Sequence, residues 1–200
     1  MDFESAKEYI LHRLDSELDS RLVYHSYIHT VDVFKATTML SAWEGLQEEE
    51  QRLVETAALY HDAGMLTAYE NHEESSALLA ADVLKTFNYT ANQIETICGL
   101  IRCTRLPQLA STQLEKIICD ADLDYLGRDD FFINSFRLRL EWQLHGIRTF
   151  SLSDWFLLQE EFLEQHSYFL NSAIELRNAG KHKNLKTIKE LNKQHQNPIN

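Results

Sequence analysis

Turn-forming residues are scarce in this chain: six glycines and two prolines among 200 residues. Average usage is roughly 7% glycine and 5% proline, so about 24 such residues would be ordinary. Hairpins and tight strand connections depend on these residue types. Their scarcity argues against β-sandwiches, barrels, and collagenous or linker-rich architectures. It points to an all-α domain.

The apolar spacing agrees, recurring every three or four residues nearly throughout. Phe3, Ala6, Ile10 and Leu14 predict a first helix, and Leu22, His29, Val33, Ala36 and Leu40 a second. Val54, Ala57, Ala58 and His61 share a face of a third, with Gly64 suited to the left-handed position that ends a helix. Ala80, Val83, Leu84 and Phe87 mark a fourth, starting near Glu73 to Ser76. Ile94, Ile97, Cys98 and Ile101 mark a fifth that stops before Pro107. Ser111 is the expected N-cap of a sixth, through Leu114, Ile117, Ile118 and Ala121. Ile133, Phe136, Leu140 and Leu144 predict the inward face of a seventh, ending near Gly146. Ser153 or Asp154 would cap an eighth that buries Trp155, Leu158 and Phe162. Phe169, Ala173 and Leu176 form another that ends near Gly180. A separate amphipathic tail through Leu185, Ile188 and Leu191 runs to about Gln196, with frayed residues around Pro198. The expected unit is one domain over 1–200, a bundle of nine or ten helices.

Charge and cysteine content narrow the setting. The formal net charge is −12, yet six of the 19 basic residues and only one of the 31 acids lie from Arg177 onward. An acidic body disfavours duplex nucleic acid, which needs a basic face. The basic tail is either a solvated helix face or a local phosphate- or partner-binding segment. The cysteines Cys98, Cys103 and Cys119 are odd in number and lack a CxxC spacing, which suits free thiols in a reducing compartment. The N-terminal MDFESAKEYILHRL has no apolar signal core, and no apolar run nears the roughly 20 residues of a membrane span. A cytoplasmic protein without membrane partners is expected.

Three segments carry candidate chemistry. In RLVYHSYIHTVDV, His25 and His29 stand one helical turn apart, and His29 shares the apolar face. In AALYHDAG, His61-Asp62 closes an apolar run, where a carboxylate is costly to bury without a partner. In IICDADLDYLG, Asp122 follows Ile118 by one turn and is expected inward with Leu114 and Ala121, while Asp120 and Asp124 point elsewhere. Each has an ordinary alternative as a core histidine or a polar helix end. Together, His29, His61, Asp62 and Asp122 offer two imidazoles and two carboxylates. That donor set suits Mn²⁺, Fe²⁺, Co²⁺, Ni²⁺ or Zn²⁺, and Mg²⁺ less readily.

The order His…His-Asp…Asp on separate helices resembles the HD-domain metal-dependent phosphohydrolase superfamily. The local contexts YHSYIHTVDV, AALYHDAG and ICDADLDYLG match as well, covering about residues 22–127, with a weaker echo in RLRLEW at 137–142. On this division 128–180 are C-terminal helices and 181–200 the basic tail. The resemblance implies a compact helical bundle with the metal site between core helices. It implies His29, His61, Asp62 and Asp122 as metal ligands for one ion, with Asp62 able to bridge to a second. Asp120 is the alternative last ligand. His25 falls beside the site, and His72 and Glu73 match polar residues that enter it in several subfamilies. Glu73 could equally favour the helix N-terminus through the dipole.

The implied activity is hydrolysis of a phosphate ester of a small metabolite, a nucleotide above all, by a metal-bound water. Asp62, His72, Glu73 and His25 are its catalytic candidates. Arg102 is preferred over Arg105, Arg137 and Arg139 as the phosphate contact. A catalytically silent metal- or nucleotide-binding module is the alternative, and homo-oligomers are compatible with either. The chain departs from the dinuclear and diiron branches in having only His72 between Asp62 and Asp122. It also lacks an acid between Asp62 and Glu70.

Overall fold

A computed structural model describes residues 1–196, and the expected fraying around Pro198 lies outside these. The described residues contain α-helices and short 3₁₀ turns and no strand. The chain divides into two compact units, Met1–Asp122 and Leu123 onward.

The first unit contains six helices: α1 (Phe3–Glu17), α2 (Tyr27–Trp43), α3 (Glu48–Tyr60), α4 (His72–Val83), α5 (Ala91–Cys103) and α6 (Gln113–Asp122). Helix α3 is its centre and packs against α1, α2, α5 and α6. Its first turn is acidic, with Glu48, Glu49 and Glu50, and a capping box joins Gln47 to Glu50. Both features favour a helix N-terminus. From Leu53 to Tyr60 every residue is buried. Such a segment cannot be amphipathic, because helices surround it on all sides. Its polar members are satisfied internally. Glu55 accepts from Thr38 Oγ1 at 2.8 Å and from Arg52 Nη1 at 3.0 Å, and the Tyr60 hydroxyl donates to the Ala6 carbonyl at 2.9 Å.

Several boundaries differ from the sequence expectation. Helix α2 starts at Tyr27, so Leu22 and His25 precede it and do not share its face. Gly64 is not a left-handed stop. It lies in a 3₁₀ turn, Ala63–Leu66, where an added Cβ would sit 2.2 Å from the His72 carbonyl oxygen. Phe87 belongs to a 3₁₀ turn after α4. The cap of α6 is Thr112, whose Oγ1 accepts from the Glu115 N–H at 3.3 Å. Glu115 in turn accepts from Ser111 N–H and O–H at 2.8 Å each. The Thr112 N–H, donating to the same oxygen at 2.8 Å, acts with the Ser111 bonds to hold the Glu115 carboxyl at about 2.

The second unit contains α7 (Phe131–Leu144), α8 (Leu152–Gln165) and α9 (Asn171–Gln196). The expected face of α7 is inverted. Ile133, Phe136, Leu140 and Leu144 are exposed, while Phe131, Ser135 and Glu141 are buried. A polar relay decides the orientation: Trp155 Nε1 donates to Ser135 Oγ at 2.9 Å, and Ser135 donates to Gln159 at 3.0 Å. The cap of α8 is Ser151, which accepts from the Asp154 N–H, so neither Ser153 nor Asp154 caps it. Trp155 is fully buried, but Phe156, Gln159 and Leu163 complete its face in place of Leu158 and Phe162.

Helix α9 runs without interruption through Gly180, so the expected break there and the separate tail are both absent. Gly180 is a crossing point instead. A Cβ on it would lie 1.9 Å from the Gly127 carbonyl oxygen. The same crossing is tied by Arg177, bidentate on Asp124 at 2.6 and 3.1 Å, and by Asn184, which donates to the Leu126 and Arg128 carbonyls. Lys183 and Lys189 form exposed pairs with Asp129 and Glu164, whereas Lys181 is buried.

Candidate metal centre

The site gathers at the C-terminal end of α3, where the buried run ends in His61-Asp62. His61 is 1% exposed. Its Nδ1 donates to the Ala58 carbonyl at 2.8 Å, which fixes the ring and turns Nε2 inward. Nε2 meets His29 Nε2 at 3.3 Å, Asp62 Oδ2 at 3.1 Å and Asp122 Oδ1 at 3.5 Å. His29 Nε2 also lies 3.4 Å from Asp62 Oδ2 and 3.4 Å from Asp122 Oδ1. His29 comes from the first turn of α2, Asp122 from the last residue of α6, and His61-Asp62 from the end of α3.

A second group shares Asp62. His25, Asp62 and His72 each offer a ligand atom within 4.8 Å of the others, as do His29, His61 and Asp122. His72 opens α4 and donates from Nδ1 to the Tyr69 carbonyl at 3.1 Å, leaving Nε2 3.4 Å from Asp62 Oδ1. Glu73 Oε1 is 3.7 Å from His72 Nε2. The His25 and His72 ring centroids are 5.3 Å apart. Asp62 therefore turns one oxygen to each group.

Burial disfavours charge on His61, Asp62, His72 and Asp122, and attraction between the imidazoles and the carboxylates outweighs it. Burial pulls the His61 imidazolium down, but the Asp62 and Asp122 carboxylates hold it well above its usual value. Burial likewise opposes ionisation of Asp62, yet His61 and His25 keep it well below the carboxylate range. Asp122 is held at about 2 against burial by His29 and His61, and His72 is raised to about 9 by Asp62.

This arrangement fits a divalent cation. With His61 Nδ1 committed to Ala58, a cation that took the place of the Nε2 proton would meet the Nε2 lone pair, two carboxylate oxygens and a second imidazole. Asp62 Oδ2 is buried and makes no hydrogen bond of normal geometry. Buried carboxylates need a positive partner, which protons on the imidazoles supply in the absence of an ion and a divalent cation would supply on binding. Two imidazoles with two carboxylates are the ligands of first-row divalent ions, and of Mg²⁺ less readily.

Other expectations are placed differently. Asp120 lies outside both groups, although it and Asp124 are more buried than Asp122. Asp124 is instead the partner of Arg177. Arg102 is half exposed and bidentate on Glu74, at 2.6 and 2.8 Å. Two contributors have no place in the sequence expectation. Gln108 donates to Asp122 Oδ2 at 3.1 Å, from an irregular loop with no periodic signal. Tyr24 stacks on His29, with centroids 4.9 Å apart. Its position in the YHSYIH segment is a signal that could have found it.

The HD-domain family model matches residues 26–124. Among solved structures, the chain is similar to Bacillus subtilis YpgQ, solved in complex with ADP. The TM-score is 0.67 at 17% identity, covering 96% of this chain and 98% of that one. It is equally similar to Lin1889 from Listeria innocua, with a TM-score of 0.67 at 18% identity and full coverage of both chains. These likenesses establish a shared fold. A comparison with curated proteins finds no match. No helix among the described residues is long and apolar enough to cross a membrane.

Proposed function

Because the chain belongs to the HD-domain family, we propose that it is a metal-dependent phosphohydrolase acting on a small phosphate ester, with a nucleotide as the favoured substrate class. The observation that carries this is the convergence of His29, His61, Asp62 and Asp122 around one buried point, where Asp62 Oδ2 makes no hydrogen bond of normal geometry. The nucleotide class is supported by the ADP complex of YpgQ, a protein of the same fold.

His29, His61, Asp62 and Asp122 would hold one divalent ion, and Asp62 with His25 and His72 could hold a second. A bound divalent ion supplies Lewis acidity, lowering the pKa of water and polarising a phosphoryl oxygen. The chain's own residues do the rest. Ala58 and Tyr69 orient the His61 and His72 rings through their Nδ1 atoms. With a single ion bound, His72 Nε2, set against Asp62, would hold a proton that it can pass to the leaving oxygen, with His25 beside it as the alternative donor. Glu73 steadies His72 from 3.7 Å. Arg102 would reach substrate phosphate by exchanging Glu74 for it, so Arg102→Ala should raise KM more than it lowers kcat.

The test is phosphate release from a panel of nucleotides and simple phosphate esters, with each divalent metal in turn and Asp62→Ala as control. Metal-dependent release lost in the variant supports the proposal. Metal-loaded protein that releases phosphate from none of them overturns it, in favour of a silent binding module.

A further inference from the structure

Two of the three cysteines face each other outside the metal centre. Cys103 Sγ lies 3.5 Å from Cys119 Sγ, and the Cys119 thiol also approaches the Cys103 carbonyl oxygen at 3.3 Å. Cys103 ends α5 and is partly exposed, whereas Cys119 lies within α6 and is buried. Cys98 is separate from them: it is buried and donates to the Ala77 carbonyl at 3.2 Å. Hydrogen bonding from Cys119 lowers the Cys103 thiol below its usual value, which favours the nucleophilic thiolate.

We propose that Cys103 and Cys119 form an oxidisable dithiol that closes to an intramolecular disulfide under peroxide and weakens the metal centre. The Cys103 thiolate attacks a peroxide oxygen, the O–O bond breaks, and water leaves once the departing hydroxide is protonated. The Cys119 sulfur then attacks the resulting sulfenic acid, the S–O bond breaks, and a second water leaves. Two thiols are oxidised and one hydrogen peroxide is reduced to two waters.

The coupling is geometric, and it rests on the metal centre proposed above. Asp122 follows Cys119 by one turn of α6. Gln108, in the loop after Cys103, donates to Asp122 Oδ2 at 3.1 Å and to the Thr104 carbonyl at 3.3 Å. The two thiols therefore sit on the two segments that meet at this hydrogen bond. Sulfurs in a disulfide stand about 2.05 Å apart, so closure draws these segments together. Metal ligands tolerate only about 0.5 Å of displacement.

The experiment uses the full chain, freed of reductant and treated with hydrogen peroxide. Thiols are counted under denaturing conditions and linked peptides are mapped by mass spectrometry. Loss of two of the three thiols, with a Cys103–Cys119 cross-link and a mass lower by two hydrogens, is expected. Cys98→Ser should keep this response, and Cys103→Ser and Cys119→Ser should each abolish it. Three retained thiols, over-oxidised Cys103 without a cross-link, or an intermolecular dimer would overturn the dithiol. Titration with Mn²⁺ reads the coupling. Affinity should fall at least tenfold on oxidation and return with dithiothreitol, and Cys119→Ser should bind equally before and after peroxide. Equal affinity of the reduced and cross-linked forms overturns the coupling alone. Reduced protein that binds no divalent ion overturns the coupling and the phosphohydrolase proposal together, while the cross-link still decides the dithiol.

Discussion

The Gly64 N–H donates to Ser76 Oγ at 2.7 Å, at a point where the backbone of one segment touches that of another. An added Cβ on Gly64 would lie 2.2 Å from the His72 carbonyl oxygen and 2.7 Å from the Ser76 nitrogen. The turn after Asp62 and the start of α4 are thereby joined, and with them Asp62 and His72. Gly64→Ala should destabilise the fold by about 3 kcal/mol or more, because the colliding atoms are backbone. Ser76→Ala should cost roughly 1–3 kcal/mol by orphaning a buried N–H. Denaturant unfolding checks both, and a neutral Gly64→Ala would contradict the close approach.

Metal should stabilise the folded chain through the His–Asp cluster. At 100 times its dissociation constant a ligand adds about 2.7 kcal/mol to unfolding. Mn²⁺ should therefore raise the Tm of the wild-type protein, and EDTA should reverse the rise. Asp62→Ala and His61→Ala should melt at the same temperature with and without the ion. Differential scanning calorimetry across a metal series checks this, and an undiminished response in both variants would place the ion elsewhere.

Two glycine-to-alanine substitutions inside helices should have opposite signs. Gly99 is exposed on α5 with open space around its Cβ position. Gly99→Ala should stabilise by roughly 0.5–1 kcal/mol through reduced backbone entropy. Gly180 meets the Gly127 carbonyl, so Gly180→Ala should destabilise by about 2 kcal/mol or more despite the same gain in helix propensity. Paired thermal melts distinguish them.

His166 should make stability pH-dependent in the mildly acidic range. Burial, with Lys181 adding repulsion, depresses its folded pKa from 6.5 to about 4. The unfolded chain then binds more protons between these values, so this contribution is full above about 6.5 and is lost as pH falls toward about 4. Discounted for partial exposure, it amounts to about 2 kcal/mol. His166→Gln should flatten the difference between unfolding free energies at pH 7 and pH 4.5, and an unchanged slope would remove the assignment.

Local chemistry alone makes most of the helices legible in the sequence. The 3.6-residue apolar period locates α1, α3 and α5, and with the scarcity of glycine and proline it gives the all-α class. The order of His29, His61-Asp62 and Asp122 is equally legible, because each interrupts an apolar pattern with a group that needs a partner. Tertiary structure decided the rest. The exposed apolar stripe of α7 could not be foreseen, because amphipathic spacing does not reveal that Trp155, Ser135 and Gln159 satisfy one another on the opposite face. Gly64 and Gly180 resemble helix stops because a local pattern cannot distinguish backbone freedom from backbone contact. The meetings of Gln108 with Asp122 and of Cys103 with Cys119 depend on where separate helices cross. That geometry is set by packing many buried side chains at once, and no short window of residues contains it.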